Sequence, residues 1–173
     1  MKALVVYYSS TGKTELVAKA IAKILNADIW KIEELKKKGV FARYISGAIS
    51  AAKGEYSEIK PIDHNIGDYD LIFIGTPVWA FKPTPAINAF ISKADFKDKK
   101  VIIFVTMRGM GGKSAIRALV DAIESKGGKI INSFAIRTGG VKDEKIIEKG
   151  IEIGRQYKNW KRIPSFALSP NSG

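Results

Sequence analysis

The fold is decided by the sequence ALVVYYSSTGKT at residues 3–14, where an apolar run leads directly into a turn rich in hydroxyl groups. The run Ala3 to Tyr8 predicts a strand that is buried on both faces, because no polar residue alternates with the apolar ones. The next apolar residues have helical spacing and predict a helix that begins at the end of the turn: Leu16, Val17, Ala20, Ile21 and Ile24. A strand, a short turn and a helix in this order form the opening unit of an α/β sheet.

The turn ends in Gly-Lys-Thr at 12–14, as the phosphate loop of a nucleoside triphosphatase does, but the spacing excludes that loop. Such a loop needs a second glycine five positions earlier, where this chain has Tyr7. A second stretch, GGKS at 111–114, fails in the same way because the required position is Met107. The turn 9–14 suits a single phosphate, since the free N–H groups at a helix start point into it. An ordinary N-cap turn is the alternative.

Strand-like and helical segments alternate along the chain, which predicts a parallel sheet with helices on both faces. Apolar runs of strand length occupy residues 3–8, 29–32, 71–74, 101–105 and 130–136. Apolar residues at helical spacing occupy residues 16–24, 40–52, 86–91, 116–123 and 147–157. We therefore expect a doubly wound, three-layer α/β/α fold with five strands and five helices.

Length and composition indicate a single domain, because 173 residues with 46% hydrophobic side chains supply one well-buried core. We expect that domain at 1–160 and a mobile tail at 161–173, where periodicity is lost and proline and serine appear. We also expect a cytoplasmic protein, since there is neither a membrane-spanning apolar run nor a signal peptide. The chain has no cysteine, so any redox chemistry would come from a cofactor.

The chain carries 29 Lys and Arg against 17 Asp and Glu, a formal net charge of +12. Such an excess is typical of proteins that bind nucleic acid, anionic membranes or acidic proteins. The basic residues are spread over 36–38, 97–100, 142–149 and 158–162, without interleaved exposed aromatic residues. We therefore expect no specific nucleic-acid binding.

Ligands of an open parallel sheet bind beyond the carboxyl ends of the strands, where the strand order reverses. The loops after the first, third and fourth strands are therefore the candidate site. We expect Trp79 and Phe81 to be exposed there for stacking on a flat ring, the alternative being that one or both pack on the core. The candidate residues are Ser9, Ser10, Thr11, Gly12, Lys13 and Thr14, then Thr76, Pro77, Val78, Trp79, Ala80 and Phe81, then Thr106, Met107, Arg108, Gly109, Gly111 and Gly112.

This combination resembles the flavodoxin family, in which a Ser/Thr-x-Thr-Gly-x-Thr loop after the first strand binds the phosphate of FMN. Here that loop reads SSTGKT at 9–14, and the resemblance extends over residues 1–158. It implies FMN as the cofactor and the strand order 2-1-3-4-5.

The resemblance also implies roles for single residues. Ser9, Thr11 and Thr14 would hold the phosphate, and Trp79 would contact the flavin ring. The loop 107–112 corresponds to the family only in position, because it lacks the acidic and aromatic residues that many members place beside the ring.

Three functions follow as hypotheses. The first is an FMN electron carrier that docks acidic redox proteins through its basic surface. The second is an FMN-dependent reductase that passes hydride from NAD(P)H to a quinone or another acceptor. The third, a phosphoacceptor response regulator, is weak because the third strand ends in Ile74-Gly75-Thr76 without an aspartate. The single histidine, His64, is expected to be a surface residue and not a catalyst.

Overall fold

The computed structural model describes residues 2–35, 56–62 and 65–159, and five parallel strands form one sheet within them. The strands are β1 Ala3–Tyr7, β2 Asp28–Lys31, β3 Leu71–Pro77, β4 Lys100–Met107 and β5 Lys129–Arg137. Their order across the sheet is β2-β1-β3-β4-β5, and every neighbouring pair is parallel. The predicted fold class and strand order are confirmed.

Four helices lie within the described residues: α1 Lys13–Leu25, α2 Pro85–Lys93, α3 Gly112–Glu124 and α4 Asp143–Tyr157. A short 3-10 turn, Ile66–Asp68, precedes β3. The predicted helix at 40–52, His64 and the predicted tail at 161–173 lie outside the described residues. Among the described helices, none is both long and apolar enough to cross a membrane.

The strands are apolar throughout because helices cover both faces of the sheet. Alternate residues of β1 enter different cores, with Val5 packed on the side of α1 and α4 and Leu4 on the side of α2 and α3. Phe73 and Ile72 divide in the same way on β3, and all four of these side chains are fully buried. Continuous burial of this kind is the physical reason why the strands read as unbroken apolar runs.

The two ends of the sheet, where the strands begin and where they end, differ in which helix termini lie beside them. We call the edge where the strands end the carboxyl edge, formed by the loops 8–12, 78–84, 108–111 and 138–142. The opposite side is the amino edge, formed by 65–70, 94–99 and 125–128. Because each helix follows a strand, helix N-termini meet the carboxyl edge and helix C-termini meet the amino edge.

Candidate functional site

The strand order reverses between β1 and β3, so the crevice for a ligand lies between the loops that follow them. The loop after β4 adjoins the loop after β3, because the Val78 N–H donates to the Thr106 carbonyl at 2.8 Å. The loop after β5 is held in turn by β4, since the Thr138 N–H donates to the Met107 carbonyl at 2.7 Å. The loop after β1 is joined to them, because the Tyr8 N–H donates to the Gly75 carbonyl at 3.0 Å and the Thr14 and Thr106 hydroxyl groups share a hydrogen bond of 2.7 Å. The tertiary structure therefore brings the three predicted loops together at the carboxyl edge.

The turn after β1 is shaped by Gly12, which adopts a left-handed conformation with φ 86° and caps α1. The Gly12 N–H donates to the Ser9 Oγ at 3.1 Å, and the Gly12 carbonyl accepts the first helical hydrogen bond from Leu16 at 3.0 Å. The N–H groups in the first turn of α1 have no acceptor within the helix and carry the positive end of its dipole. The turn can therefore accept an anion through backbone donors and hydroxyl groups.

Thr14 and Thr106 form a buried hydroxyl pair across the site. Their Oγ1 atoms share a hydrogen bond of 2.7 Å, and the side chains are 1% and 3% exposed. This buried contact joins the first turn of α1 to β4, so Thr14 also stabilises the position of the turn relative to the sheet. The shared bond uses one of the two hydroxyl protons, and the second can still be donated to another acceptor.

The Lys13 Nζ pairs with the Asp143 carboxylate at the start of α4. This ion pair ties the N-termini of α1 and α4 to each other. The lysine of the Gly-Lys-Thr sequence therefore has a partner within the protein, which agrees with the exclusion of a triphosphatase loop.

Glu15 places a carboxylate in the first turn of α1, where an uncompensated negative charge would repel an anionic ligand. Hydrogen bonds from Lys19 and Lys31 lower the pKa of Glu15, so the carboxylate is ionised and its charge is offset by two ammonium groups. Burial, followed by the negative charge of Glu15, raises the pKa of Tyr7 to about 12. The phenol at the end of β1 is consequently neutral at physiological pH.

Thr76, a predicted ligand residue, stabilises the loop that follows it. It is fully buried, its Oγ1 donates to the Pro77 carbonyl at 3.0 Å, and the same atom lies 3.0 Å from the Thr84 Oγ1. The Thr84 N–H also donates to this hydroxyl at 3.2 Å. The hydroxyl of Thr76 thus closes the base of the loop 78–84 and does not face the open edge.

The prediction that Trp79 is exposed is wrong, whereas the same prediction for Phe81 is confirmed. Trp79 is 5% exposed and packs edge-on against Tyr8 with 5.8 Å between the ring centroids. Phe81 is 53% exposed. The reason is a tight hairpin in which the backbones of Trp79 and Lys82 exchange two hydrogen bonds, at 3.0 and 2.9 Å. The hairpin turns Trp79 onto the core and leaves Phe81 at the tip.

The tip of this hairpin is strained, because both of its central residues have positive φ without being glycine. Ala80 has φ 45° and Phe81 has φ 64°, the pattern of a type I′ turn. A left-handed conformation costs a residue with a side chain about 1–2 kcal/mol. Strain of this kind persists where the surrounding structure holds it, and it clusters at functional sites.

The loop after β4 supports the exposed aromatic residue. Gly111 caps α3 at φ 95°, and a Cβ on it would lie 3.0 Å from Phe81 Cδ1 and 3.1 Å from Phe81 Cα. A larger residue here would require Phe81 to shift by a few tenths of an ångström, in addition to the strain of a positive φ. Met110, which sequence reasoning did not select, is 75% exposed beside this contact. Its neighbours Arg108 and Gly109, two of the candidate site residues, are also exposed.

Two further residues of the site were missed by sequence reasoning. Tyr8 packs against Trp79, and its hydroxyl donates to the Glu34 carboxylate at 2.8 Å. Thr84 completes the hydroxyl cluster around Thr76. Their positions in the sequence could have identified them, because Tyr8 follows β1 and Thr84 precedes α2 at the carboxyl edge.

The fold and the site together define a doubly wound α/β protein in which a helix begins at the point where the strand order reverses. A model of the flavodoxin family matches residues 46–144. The chain is 32% identical over 139 residues to an uncharacterized protein of Methanocaldococcus jannaschii, a match covering 79% of this chain and 75% of that protein. The chain belongs to the flavodoxin family. The family match begins after the turn 9–14, which therefore rests on its own geometry.

Solved structures with this fold are similar over almost their whole length. A flavoprotein from Lactobacillus acidophilus in complex with FMN has a TM-score of 0.65 at 24% identity, covering 86% of this chain and 97% of that one. A flavodoxin from the domain Archaea has a TM-score of 0.57 at 18% identity, covering 92% of this chain and all of that one. At these identities the similarity concerns the fold.

Proposed function

We propose that this protein binds one FMN at the carboxyl edge and carries electrons between redox partners. The observation that carries the proposal is the turn at the start of α1. Gly12 caps the helix in a left-handed conformation, and Ser9 already holds its N–H. Such a turn presents hydroxyl groups and helix N–H groups to one point, which suits a phosphate monoester. The FMN complex of the similar Lactobacillus acidophilus flavoprotein also supports this choice of cofactor.

The phosphate would be held by Ser9, Ser10 and Thr11 together with N–H groups at the start of α1. The buried pair of Thr14 and Thr106 would add the hydroxyl proton that its shared hydrogen bond does not use. Hydrogen bonds to a charged phosphate are stronger than those between neutral groups.

The ring side of the site follows from the hairpin. Phe81, and not Trp79, is the aromatic residue exposed for contact with a flavin ring, and Gly111 holds it in position. The exposed glycine-containing loop 108–111 would let backbone groups approach the ring edge. Bound FMN supplies the redox chemistry, while the chain supplies binding, orientation and electrostatics.

A titration of apoprotein with FMN, followed by quenching of flavin fluorescence, tests the proposal. We expect saturation at one FMN per chain. Ser9→Ala should weaken binding about tenfold, because one hydrogen bond to a charged group contributes about 1.5–3 kcal/mol. Ser92→Ala is the matched control, since the Ser92 hydroxyl bonds a carbonyl at the end of α2, on the amino edge. Absence of quenching, or equal losses in both variants, would contradict the proposed site.

The carrier role has its own test, which is a steady-state assay of the FMN-loaded protein with NADH and NADPH against quinones and free FMN. A carrier gives no sustained turnover with these pairs. Sustained oxidation of either nicotinamide would overturn the carrier role and assign the reductase.

A further inference from the structure

Two exposed apolar side chains, Phe81 and Met110, lie on adjoining loops of the carboxyl edge. Phe81 is 53% exposed at the tip of the hairpin, and Met110 is 75% exposed in the loop after β4. The two loops meet at Gly111, where a Cβ would lie 3.0 Å from the ring of Phe81. Exposed apolar groups that lie together, with polar neighbours around them, are typical of a surface that contacts another protein.

Three cations border this apolar pair. Lys82 follows Phe81, and Arg108 and Lys113 flank Met110 on either side; all three side chains are exposed. Within the described part of the chain, none of the three forms an ion pair. Neither 76–85 nor 106–117 contains an aspartate or a glutamate. We call these five residues the carboxyl-edge patch: Phe81, Lys82, Arg108, Met110 and Lys113.

The backbone adds to the positive potential of the patch. α3 begins at Gly112, inside the patch, so the positive end of its dipole lies beside Arg108 and Lys113. Cations at a helix N-terminus are unfavourably placed unless an anionic group lies opposite them. An apolar centre with a cationic rim fits a partner that presents carboxylates around an apolar contact.

We propose that the carboxyl-edge patch docks an acidic redox protein. This inference rests on the proposed function, because the patch lies in the same two loops that would contact the flavin ring and shares Phe81 and Arg108 with the candidate FMN site. The step it serves is the transfer of one electron, in which the partner's redox centre is oxidised, the flavin is reduced, and no covalent bond forms or breaks. A partner docked at the patch would lie beside the exposed Phe81 and the loop 108–111.

The test measures association directly, with an acidic plant-type [2Fe–2S] ferredoxin as the probe and isothermal titration calorimetry of the full chain across a series of NaCl concentrations. The test variant is Lys82→Glu/Lys113→Glu, which leaves the predicted FMN residues unchanged. Its matched control is Lys97→Glu/Lys129→Glu, which makes the same change of net charge at exposed positions on the opposite end of the strands. Thermal unfolding followed by circular dichroism verifies that both variants are folded.

We expect the affinity of the unmodified chain to fall as salt rises. At low ionic strength the patch variant should bind the probe about tenfold more weakly than the unmodified chain, and the control should remain within about twofold. Equal losses in both variants would assign the attraction to net charge and overturn the patch. No measurable binding by the unmodified chain, or binding that does not respond to salt, would overturn it as well.

This measurement separates the patch from the flavin. If apoprotein fails to bind FMN, the proposed function is wrong, and calorimetry with ferredoxin still decides whether the patch docks an acidic protein. If FMN binds, the rate of stopped-flow reduction of the FMN-loaded protein by reduced ferredoxin should follow the affinities. The unmodified chain and the control should be reduced faster than the patch variant. A patch variant that transfers electrons as fast as the control would contradict docking at the patch.

Discussion

The carboxyl edge and the amino edge carry the same kinds of residue and use them differently. At the amino edge, the Lys126 Nζ donates to the carbonyls of Ser92 and Ala94 at 2.8 and 2.9 Å. The Lys99 Nζ donates to the Gly67 carbonyl in the same region. At the carboxyl edge, by contrast, Lys82 has no ion-pair partner among the described residues.

The direction of the helices explains the difference. Helix C-termini at the amino edge present carbonyl groups that lysine side chains can satisfy. Helix N-termini at the carboxyl edge present N–H groups, which a lysine cannot satisfy and whose positive potential it increases. The amino edge is therefore closed by its own residues, whereas the carboxyl edge is complementary to an anion from outside. The positive potential of the carboxyl edge underlies both the proposed phosphate site and the proposed acidic partner.

The largest expected effect comes from the buried hydroxyl pair at the carboxyl edge. Thr14→Val leaves the Thr106 hydroxyl buried without its partner, which should lower the free energy of unfolding by about 1–3 kcal/mol. Thr14→Val/Thr106→Val removes both hydroxyl groups and should regain much of this loss, as chemical denaturation of the apoproteins can measure. FMN affinity should stay reduced about tenfold in the double variant, because the proton available to phosphate is gone. Additive losses in stability would show that the two residues do not act as a pair.

A pair of glycines compares the two edges directly. Gly12 and Gly127 both have positive φ, at 86° and 79°, but Gly12 caps α1 at the carboxyl edge and Gly127 turns the chain at the amino edge. Alanine at either position should lower the free energy of unfolding by about 1 kcal/mol, since left-handed strain exceeds the entropy gained. FMN titration should show weaker binding only for Gly12→Ala. Equal FMN affinity in the two variants would remove the carboxyl edge from the phosphate site.

The smallest expected effect concerns the lysines themselves. Lys126→Met removes two hydrogen bonds to the end of α2 and should lower the free energy of unfolding by about 1 kcal/mol. Lys82→Met removes no such contact and should leave the stability of the apoprotein within about 0.5 kcal/mol. Urea denaturation of both variants decides the matter. A destabilising Lys82→Met would mean that Lys82, like Lys126, stabilises the fold.

Much of the site was predictable from local sequence, but the exposure of its aromatic residues was not. Trp79 and Phe81 are two positions apart in one loop, and sequence alone treats them alike. The hairpin between Trp79 and Lys82 assigns one ring to the core and the other to the edge. That hairpin has no glycine at its positive-φ positions, so the usual sequence signal of a type I′ turn is absent.

The sequence by itself determined the strands, their parallel arrangement and the position of the turn 9–14, because apolar runs, helical spacing and Gly12 act through neighbouring residues. Only the tertiary structure decided which side chains meet. Thr14 and Thr106 are 92 residues apart, and Lys13 and Asp143 are 130 apart. Parallel strands place the loops of distant segments along one edge, so contacts across that edge depend on packing and register, which no local pattern encodes.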